Sequence, residues 1–132
     1  MSTLPASVDV LVVGCGPVGA AVACLLGRYG VHTLVVDREP EIMQMPRAIA
    51  LDNEALRILQ MAGLAEDAFA RLAIPRVRYV SPYFGEFAQI SSAGSLDGHP
   101  KLVTFYQPEL ERALRERAGS CESVQLALGV DM

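Results

Sequence analysis

The sequence predicts an α/β fold that contains a parallel βαβ unit, and three neighbouring features predict it. A β-branched run, Val8–Val13, precedes a glycine-rich turn and is typical of a strand buried on both faces. An apolar segment rich in alanine and leucine then runs from Pro17 to about Tyr29, with a glycine after it as a helix stop. A second β-branched run, His32–Val36, leads into Asp37. Because the whole unit takes only about thirty residues, the two strands are expected to be parallel.

The rest of the chain alternates further strands and helices around a small antiparallel excursion. Helices are expected over about Asp52–Ala62 and Pro108–Ala118, each ended by a glycine, and Leu64–Leu72 is compatible with a further turn or two of helix. Turn residues around Ser95–Pro100 predict the antiparallel excursion. The remaining strand-like segments are Val77–Ser81, Glu86–Ile90, Leu102–Phe105 and Ser123–Val130.

Length, composition and charge exclude several classes of protein. A chain of 132 residues that is 52% hydrophobic and 20% charged is one globular domain and not a disordered segment. The 11 basic and 15 acidic residues give a net charge of −4, which argues against nucleic acid as the main partner. Lys101 is the sole lysine, so a polybasic membrane-binding patch is not expected either.

Neither a membrane segment nor a disulfide framework is expected. Val10–Gly27 carries no charged residue, but glycines and a proline interrupt it and no basic segment precedes it, so we expect neither a transmembrane helix nor a signal peptide. The three cysteines, Cys15, Cys24 and Cys121, have no paired spacing. They are expected to be reduced, and a reducing cytoplasm is the simplest compartment.

The candidate site begins at Gly14-Cys15-Gly16-Pro17-Val18-Gly19, a G-x-G-x-x-G motif. The motif alone is weakly specific, but here it follows a predicted strand and opens a predicted helix, which is the context of a dinucleotide site. In such a site Gly14 allows a tight turn and Gly16 lets a pyrophosphate approach the backbone. Gly19 lets the helix pack closely against the strand.

The residues after the first glycines complete this prediction. Pro17 and Val18 open the helix, whose free N–H groups and positive dipole end attract phosphates. Asp37 is placed to accept hydrogen bonds from the adenosine ribose and to repel a 2′-phosphate, which disfavours NADP here. Arg38 follows it, either along the adenine or in a surface role. NAD and FAD share this fingerprint, so these residues leave the choice between them open.

Two later segments carry a resemblance to a known family. Pro46–Arg57 (PRAIALDNEALR) and Phe105–Leu110 (FYQPEL) resemble, in order and spacing, flavoprotein aromatic hydroxylases, and more narrowly the 3-(3-hydroxyphenyl)propionate hydroxylase branch of the phenol-hydroxylase-like group. The likeness runs from about Val8 to the end of the chain. It implies a Rossmann-like FAD-binding domain in which Arg47 contacts the FAD pyrophosphate and Gln107 also reaches the FAD.

The resemblance implies a function for the parent protein. Residues 1–132 would be the N-terminal part of an FAD-binding domain, with the substrate domain absent from this chain. The parent would use NADH or NADPH to reduce FAD, and would hydroxylate a small phenolic or aromatic substrate with O₂. No catalytic or metal-ligating residue is predicted, and neither His32 nor His99 is assigned a catalytic role.

Three other functions remain open from the sequence. One is another class of flavoprotein, such as an amine oxidase or a reductase, against which the segments around Arg47 and Gln107 argue. Another is the NAD-binding half of a dehydrogenase, or a NAD-binding sensor. The third is a truncated, non-catalytic interaction module. If the aromatic-hydroxylase interpretation is right, Arg47 and Gln107 should converge on one cofactor at the carboxyl edge of the parallel sheet. The sequence does not indicate an oligomeric state.

Overall fold

A computed structural model describes residues 4–131 of the chain and confirms the α/β fold class. Strands and helices alternate towards both ends of this range, where helices link the strands of a parallel sheet, and six strands follow one another without a helix between residues 71 and 105. In chain order the elements are β1 (Val10–Val13), α1 (Pro17–Arg28), β2 (Thr33–Asp37), β3 (Ala50–Asp52), α2 (Asn53–Met61), β4 (Arg71–Ala73), β5 (Arg76–Ser81), β6 (Gly85–Ser91), β7 (Ser95–Leu96), β8 (His99–Pro100), β9 (Leu102–Phe105), α3 (Gln107–Gly119) and β10 (Val124–Leu128).

The parallel sheet has the order β1-β2-β10, with β2 in the centre. Strand β1 pairs with β2 so that Val13 lies beside Val36, and β10 pairs with β2 so that Leu128 lies beside Asp37. Both pairings are parallel, as the βαβ pattern predicts. The carboxyl ends of the three strands therefore meet at one edge, next to the glycine-rich turn.

Strand β1 is less buried than the sequence predicts. A strand with both faces covered was expected, but Leu11 is 47% and Val13 69% exposed. The reason is that alternate side chains of β1 point to opposite faces of the sheet, so that Val12 packs against the core while Leu11 and Val13 lie on the face toward solvent. Strand β2 has a neighbour on each side, and its residues Thr33–Val36 are buried throughout.

Helices α1 and α3 pack against each other, and small side chains make this close contact possible. The buried residues of α1 are Ala20, Ala23 and Cys24, and Leu114 of α3 is fully buried against the same core. The Cys24 thiol donates a hydrogen bond to the Leu114 carbonyl at 3.3 Å. Burial raises the pKa of Cys24 to about 11, so its thiol is protonated and acts as a small core residue.

The antiparallel part is larger than the sequence predicts. Strand β9 lies at the centre of a separate sheet, β3-β9-β4, and is antiparallel to both neighbours, so Leu102–Phe105 does not join the parallel sheet. The hairpin β5-β6 and the short pair β7-β8 form two further antiparallel units. The segment Leu64–Leu72 is not helical, because α2 ends before Gly63, which has φ +86°, and the chain then turns into β4.

Candidate dinucleotide-binding site

The glycine-rich turn links the end of β1 to the start of α1. Gly14 has φ +99°, a conformation that disfavours any side chain, and its N–H donates to the Val36 carbonyl of β2 at 2.8 Å. Gly16 is the N-cap residue of α1, and Pro17 follows it in the first turn. Within residues 4–131 no side chain caps this helix end. The first N–H groups of α1 therefore remain available to a ligand.

Gly16 and Gly19 are glycines for different physical reasons. A Cβ at Gly19 would overlap the carbonyl oxygen of Gly14, so the close approach of α1 to the turn requires glycine there. A Cβ at Gly16 would meet nothing within 4 Å, and its φ of −74° suits any residue. Neither packing nor backbone conformation accounts for glycine at Gly16. The open space at this position matches a surface that a ligand's phosphates approach.

Asp37 ends β2 and is hydrogen-bonded to the turn. Its Oδ2 accepts from the Cys15 N–H at 2.6 Å, and its Oδ1 accepts from the Glu39 N–H at 2.9 Å. Partial burial alone would raise the pKa of Asp37, but these two hydrogen bonds, with the charges of Arg115 and Arg38, outweigh it and leave the pKa below the ordinary 3.8. The carboxylate therefore contributes stability that is present above this ordinary pKa and is lost as the pH falls through the lowered value.

A groove of about 290 Å³ lies at the carboxyl edge of the parallel sheet, where ligands of this fold bind. The Asp37 carboxylate has about four lone-pair positions, and the two backbone N–H groups use two of them, so two remain for other donors. The side chain of Arg38 is largely exposed at the rim of the groove, and its Nε lies 3.5 Å from Glu39 Oε1. The residues that line the groove are Val13, Gly14, Val36, Asp37, Arg38, Val130 and Asp131.

The structure brings Gln107 and Arg47 together, through the backbone of Arg47. The Gln107 side chain is 6% exposed, and its Oε1 accepts from the N–H groups of Arg47 and Ala48 at 2.8 and 2.9 Å. The side chain of Arg47 is exposed. Gln107 does not follow a strand of the parallel sheet, as was predicted, because β9 is antiparallel to both of its neighbours. Since Gln107 Oε1 already accepts two hydrogen bonds from the loop at Arg47, the amide NH₂ of Gln107 is the group that is left to donate to a ligand.

Sequence reasoning missed one pair of residues at this site. The spacing of Glu111 and Arg115 in α3 predicts no more than a favourable i,i+4 pair on a helix. In the structure both are buried, and Arg115 Nε also donates to the carbonyl oxygen of Cys15 at 2.9 Å. Each residue directly follows a core leucine, Leu110 or Leu114, and this placement is the signal that could have revealed their burial.

The parallel βαβ unit, the uncapped α1 and the carboxylate after β2 together define a dinucleotide-binding domain. None of the helices in residues 4–131 has the length and apolar character needed to span a bilayer. The same residues contain no group of three His, Cys, Asp or Glu side chains that could hold a metal ion.

Comparison with known proteins identifies the family. The model of the FAD binding domain family matches residues 7–132, and the chain belongs to this family. Dinucleotide recognition here is therefore that of a flavoprotein, and FAD is the cofactor of the domain. The open space beside Gly16 is compatible with the binding of a flavin dinucleotide.

Named relatives and solved structures agree with this family. A 3-(3-hydroxy-phenyl)propionate/3-hydroxycinnamic acid hydroxylase of Burkholderia cenocepacia (strain HI2424) is 42% identical over 126 residues, which are 94% of this chain and 23% of that protein. The p-nitrophenol 4-monooxygenase of Pseudomonas putida DLL-E4 superposes with a TM-score of 0.77 at 26% identity, over 91% of this chain and 31% of that one. A ternary complex of aklavinone-11 hydroxylase with FAD and aklavinone superposes with a TM-score of 0.71 at 26% identity. The match covers 96% of this chain and 26% of that one. The chain thus spans about a quarter of the length of the relatives it matches.

Proposed function

We propose that the chain is the N-terminal part of the FAD-binding domain of a flavin-dependent, NAD(P)H-consuming monooxygenase that hydroxylates a phenolic or other small aromatic substrate. The names of its relatives support this proposal, since they include 3-(3-hydroxy-phenyl)propionate/3-hydroxycinnamic acid hydroxylases that are 42% and 34% identical to the chain. The observation in the structure that carries the proposal is Gly16, a glycine that the fold itself does not need.

The residues that would hold FAD surround the turn and the groove. Gly14, Gly16, Pro17 and Gly19 would shape the turn that receives the pyrophosphate, and backbone N–H groups such as that of Val18 would donate to it, where the helix dipole favours negative charge. Further along the chain, the groups proposed to bind FAD are the Asp37 carboxylate for the ribose, the Arg38 side chain near the adenine, the Arg47 guanidinium for phosphate oxygens and the Gln107 amide NH₂.

The described side chains bind and orient the cofactor and do not transfer protons. When bound, the flavin supplies the electron transfer from NADH or NADPH to O₂, with one oxygen atom entering the aromatic ring and the other leaving as water. No residue in this chain is assigned to catalysis. His99, for example, is hydrogen-bonded to Gln60 at 3.1 Å and lines a different cavity from the groove at Asp37.

The test of this function is the cofactor that the full-length protein retains on purification. Bound FAD gives an absorption band near ~450 nm that NAD does not give. Release of the cofactor and its identification as FAD, followed by O₂-dependent hydroxylation of phenolic acids with NADH or NADPH, would support the proposal. A protein that retains NAD, or FAD-loaded protein that oxidises nicotinamide without ever hydroxylating a ring, would contradict it.

An Asp37→Ala substitution is expected to weaken FAD binding by about ten- to a hundredfold. It removes a charged acceptor for the ribose, and a hydrogen bond to a charged group is worth roughly 1.5–3 kcal/mol. Flavin titration of the full-length variant measures the change. Glu41 carries an exposed carboxylate in the loop after β2, so Glu41→Ala controls for the general effect of losing a negative charge. A change of less than about twofold for Asp37→Ala would argue against the ribose role.

The 132-residue chain alone is expected to show no hydroxylation when supplied with FAD, a nicotinamide donor and phenolic acids. Oxygen insertion needs the ring held within about an ångström of its productive position, and we propose that a separate substrate domain does this. Product analysis by chromatography checks the prediction, with the full-length protein as the positive control. Hydroxylated product from residues 1–132 alone would refute it.

We also propose a cytoplasmic location and no nucleic-acid or membrane partner. In the described part of the chain the three cysteines form no disulfide, and Cys15 and Cys24 are buried. Reduced cysteines suit a reducing compartment. The net charge of −4 supports a small-molecule substrate in preference to a polyanionic partner.

A further inference from the structure

A buried ion pair on α3 contacts the glycine-rich turn. The side chains of Glu111 and Arg115 are 6% and 10% exposed, and Arg115 Nη2 donates to Glu111 Oε1 at 2.9 Å. Arg115 Nε donates to the carbonyl oxygen of Cys15, also at 2.9 Å. One guanidinium thus joins α3 to the turn across 100 residues of chain. The planar fork of arginine can serve both acceptors at once, which a lysine ammonium does less well.

Stability alone does not account for this pair. Removing two charges from water is costly, and apolar residues of similar volume at such positions are often equally or more stabilising. The two residues also continue a helix face of core leucines, where apolar side chains would pack readily. The one atom outside α3 to which the pair is hydrogen-bonded, within residues 4–131, is the Cys15 carbonyl oxygen.

Cys15 is held at both ends of its backbone. Its N–H donates to the Asp37 carboxylate at 2.6 Å, and its carbonyl accepts from Arg115. The peptide bond from Cys15 to Gly16 is trans. In a planar trans peptide the C=O and the following N–H point in opposite directions, so the Gly16 N–H is directed away from Arg115 and α3. A Cβ at Gly16 would also meet nothing within 4 Å, so the surroundings of this residue are open.

Resting on the proposed function, we infer that Arg115 is a positioning residue for FAD. By holding the Cys15 carbonyl, it keeps the Gly16 N–H directed at the cofactor's pyrophosphate, and Glu111 keeps the guanidinium in place. Arg115 touches the peptide and not the cofactor, so its effect on binding passes through the turn. Because the Gly16 N–H is already oriented before FAD binds, binding loses less conformational entropy than it would with a mobile peptide.

The test replaces the pair with apolar residues in the full-length protein. Glu111→Met/Arg115→Met removes both charges together and leaves no unpaired buried ion, so the variant is expected to fold. Glu111→Leu/Arg115→Leu, measured in parallel, provides a second variant with different packing. We expect FAD affinity, measured by titration of flavin fluorescence, to fall at least about tenfold. The unfolding midpoint without FAD is expected to stay close to that of the unsubstituted protein.

Two controls on the same helix separate positioning from general effects. Arg112→Met removes an exposed positive charge, and Leu114→Ala removes core packing while leaving Glu111 and Arg115 in place. We expect Leu114→Ala to lower the unfolding midpoint and both controls to bind FAD within about twofold of the unsubstituted protein, measured where all are folded.

Each outcome bears on one of the two claims. Folded apolar-pair variants that bind FAD as tightly as the unsubstituted protein would overturn the role of Arg115 while leaving the proposed function intact. An equal loss of affinity in Leu114→Ala would also overturn it, because affinity would then simply follow stability. An unsubstituted protein that binds no FAD would instead refute the proposed function, and the inference would fall with it.

Discussion

A Gly16→Val substitution is expected to abolish FAD binding while leaving the folded domain nearly intact. The branched side chain would occupy the open space that we propose the pyrophosphate enters, and we expect affinity to fall by at least about a hundredfold. Within the protein the Cβ of that side chain would meet nothing within 4 Å. Losing glycine as the N-cap of α1 costs no more than about 1 kcal/mol.

Two measurements on the full-length protein check this prediction. Titration with FAD gives the loss of affinity, and urea unfolding without FAD gives the change in stability. Val18→Ala is the matched control, because it keeps the backbone N–H that is proposed to bind FAD and shortens a side chain that is 80% exposed on the first turn of the same helix. It should change neither quantity appreciably. A folded Gly16→Val protein that retains its full flavin content would show that the pyrophosphate does not lie at this turn.

A Gly19→Ala substitution is expected to have the opposite effect and to destabilise the fold itself. Alanine in a helix is ordinarily favoured over glycine by about 1 kcal/mol. Here its Cβ would overlap the Gly14 carbonyl oxygen, which belongs to the backbone and cannot turn aside as a flexible side chain could. Overpacking costs about 1–3 kcal/mol and occasionally more, so we expect a net loss of free energy of unfolding of about 2 kcal/mol or a failure to fold.

The unfolding free energy in urea, measured without FAD, tests this expectation. A Gly19→Ala protein as stable as the unsubstituted one would mean that α1 can move away from the turn at little cost. Comparison with Gly16→Val completes the experiment, since one substitution in the motif should act on stability and the other on the cofactor.

The parallel half of the fold could be predicted from the sequence because its signals are local. The β-branched runs, the glycine-rich turn and the alanine-rich helix follow one another within β1, α1 and β2, and the structure confirms all three elements. Asp37 could be placed for the same reason, as it ends the second strand. The second role of the Asp37 carboxylate could not be predicted from the sequence. It accepts a hydrogen bond from the Cys15 N–H of the turn.

The parts that sequence reasoning misplaced depend on contacts between distant residues. Nothing within Leu102–Phe105 indicates whether its partners are parallel or antiparallel, and the structure pairs it with β3 and β4. The hydrogen bonds of Gln107 to the backbone of Arg47 span 60 residues, and that of Arg115 to Cys15 spans 100. An i,i+4 pair of charges on a helix is usually solvated, and only its place directly after two core leucines hints at the burial that the packing of α3 on α1 produces.

The different constraints on the glycines of the turn also predict how the motif would change in descendants that no longer use the cofactor. Folding alone would continue to select for glycine where the backbone is left-handed, at Gly14, and where the helix touches the turn, at Gly19. Selection on Gly16 would relax, because in the function proposed here only the ligand requires glycine at this position. In a lineage whose sequences vary at Gly16 but retain Gly14 and Gly19, we would therefore infer that the domain kept its fold after it lost its flavin.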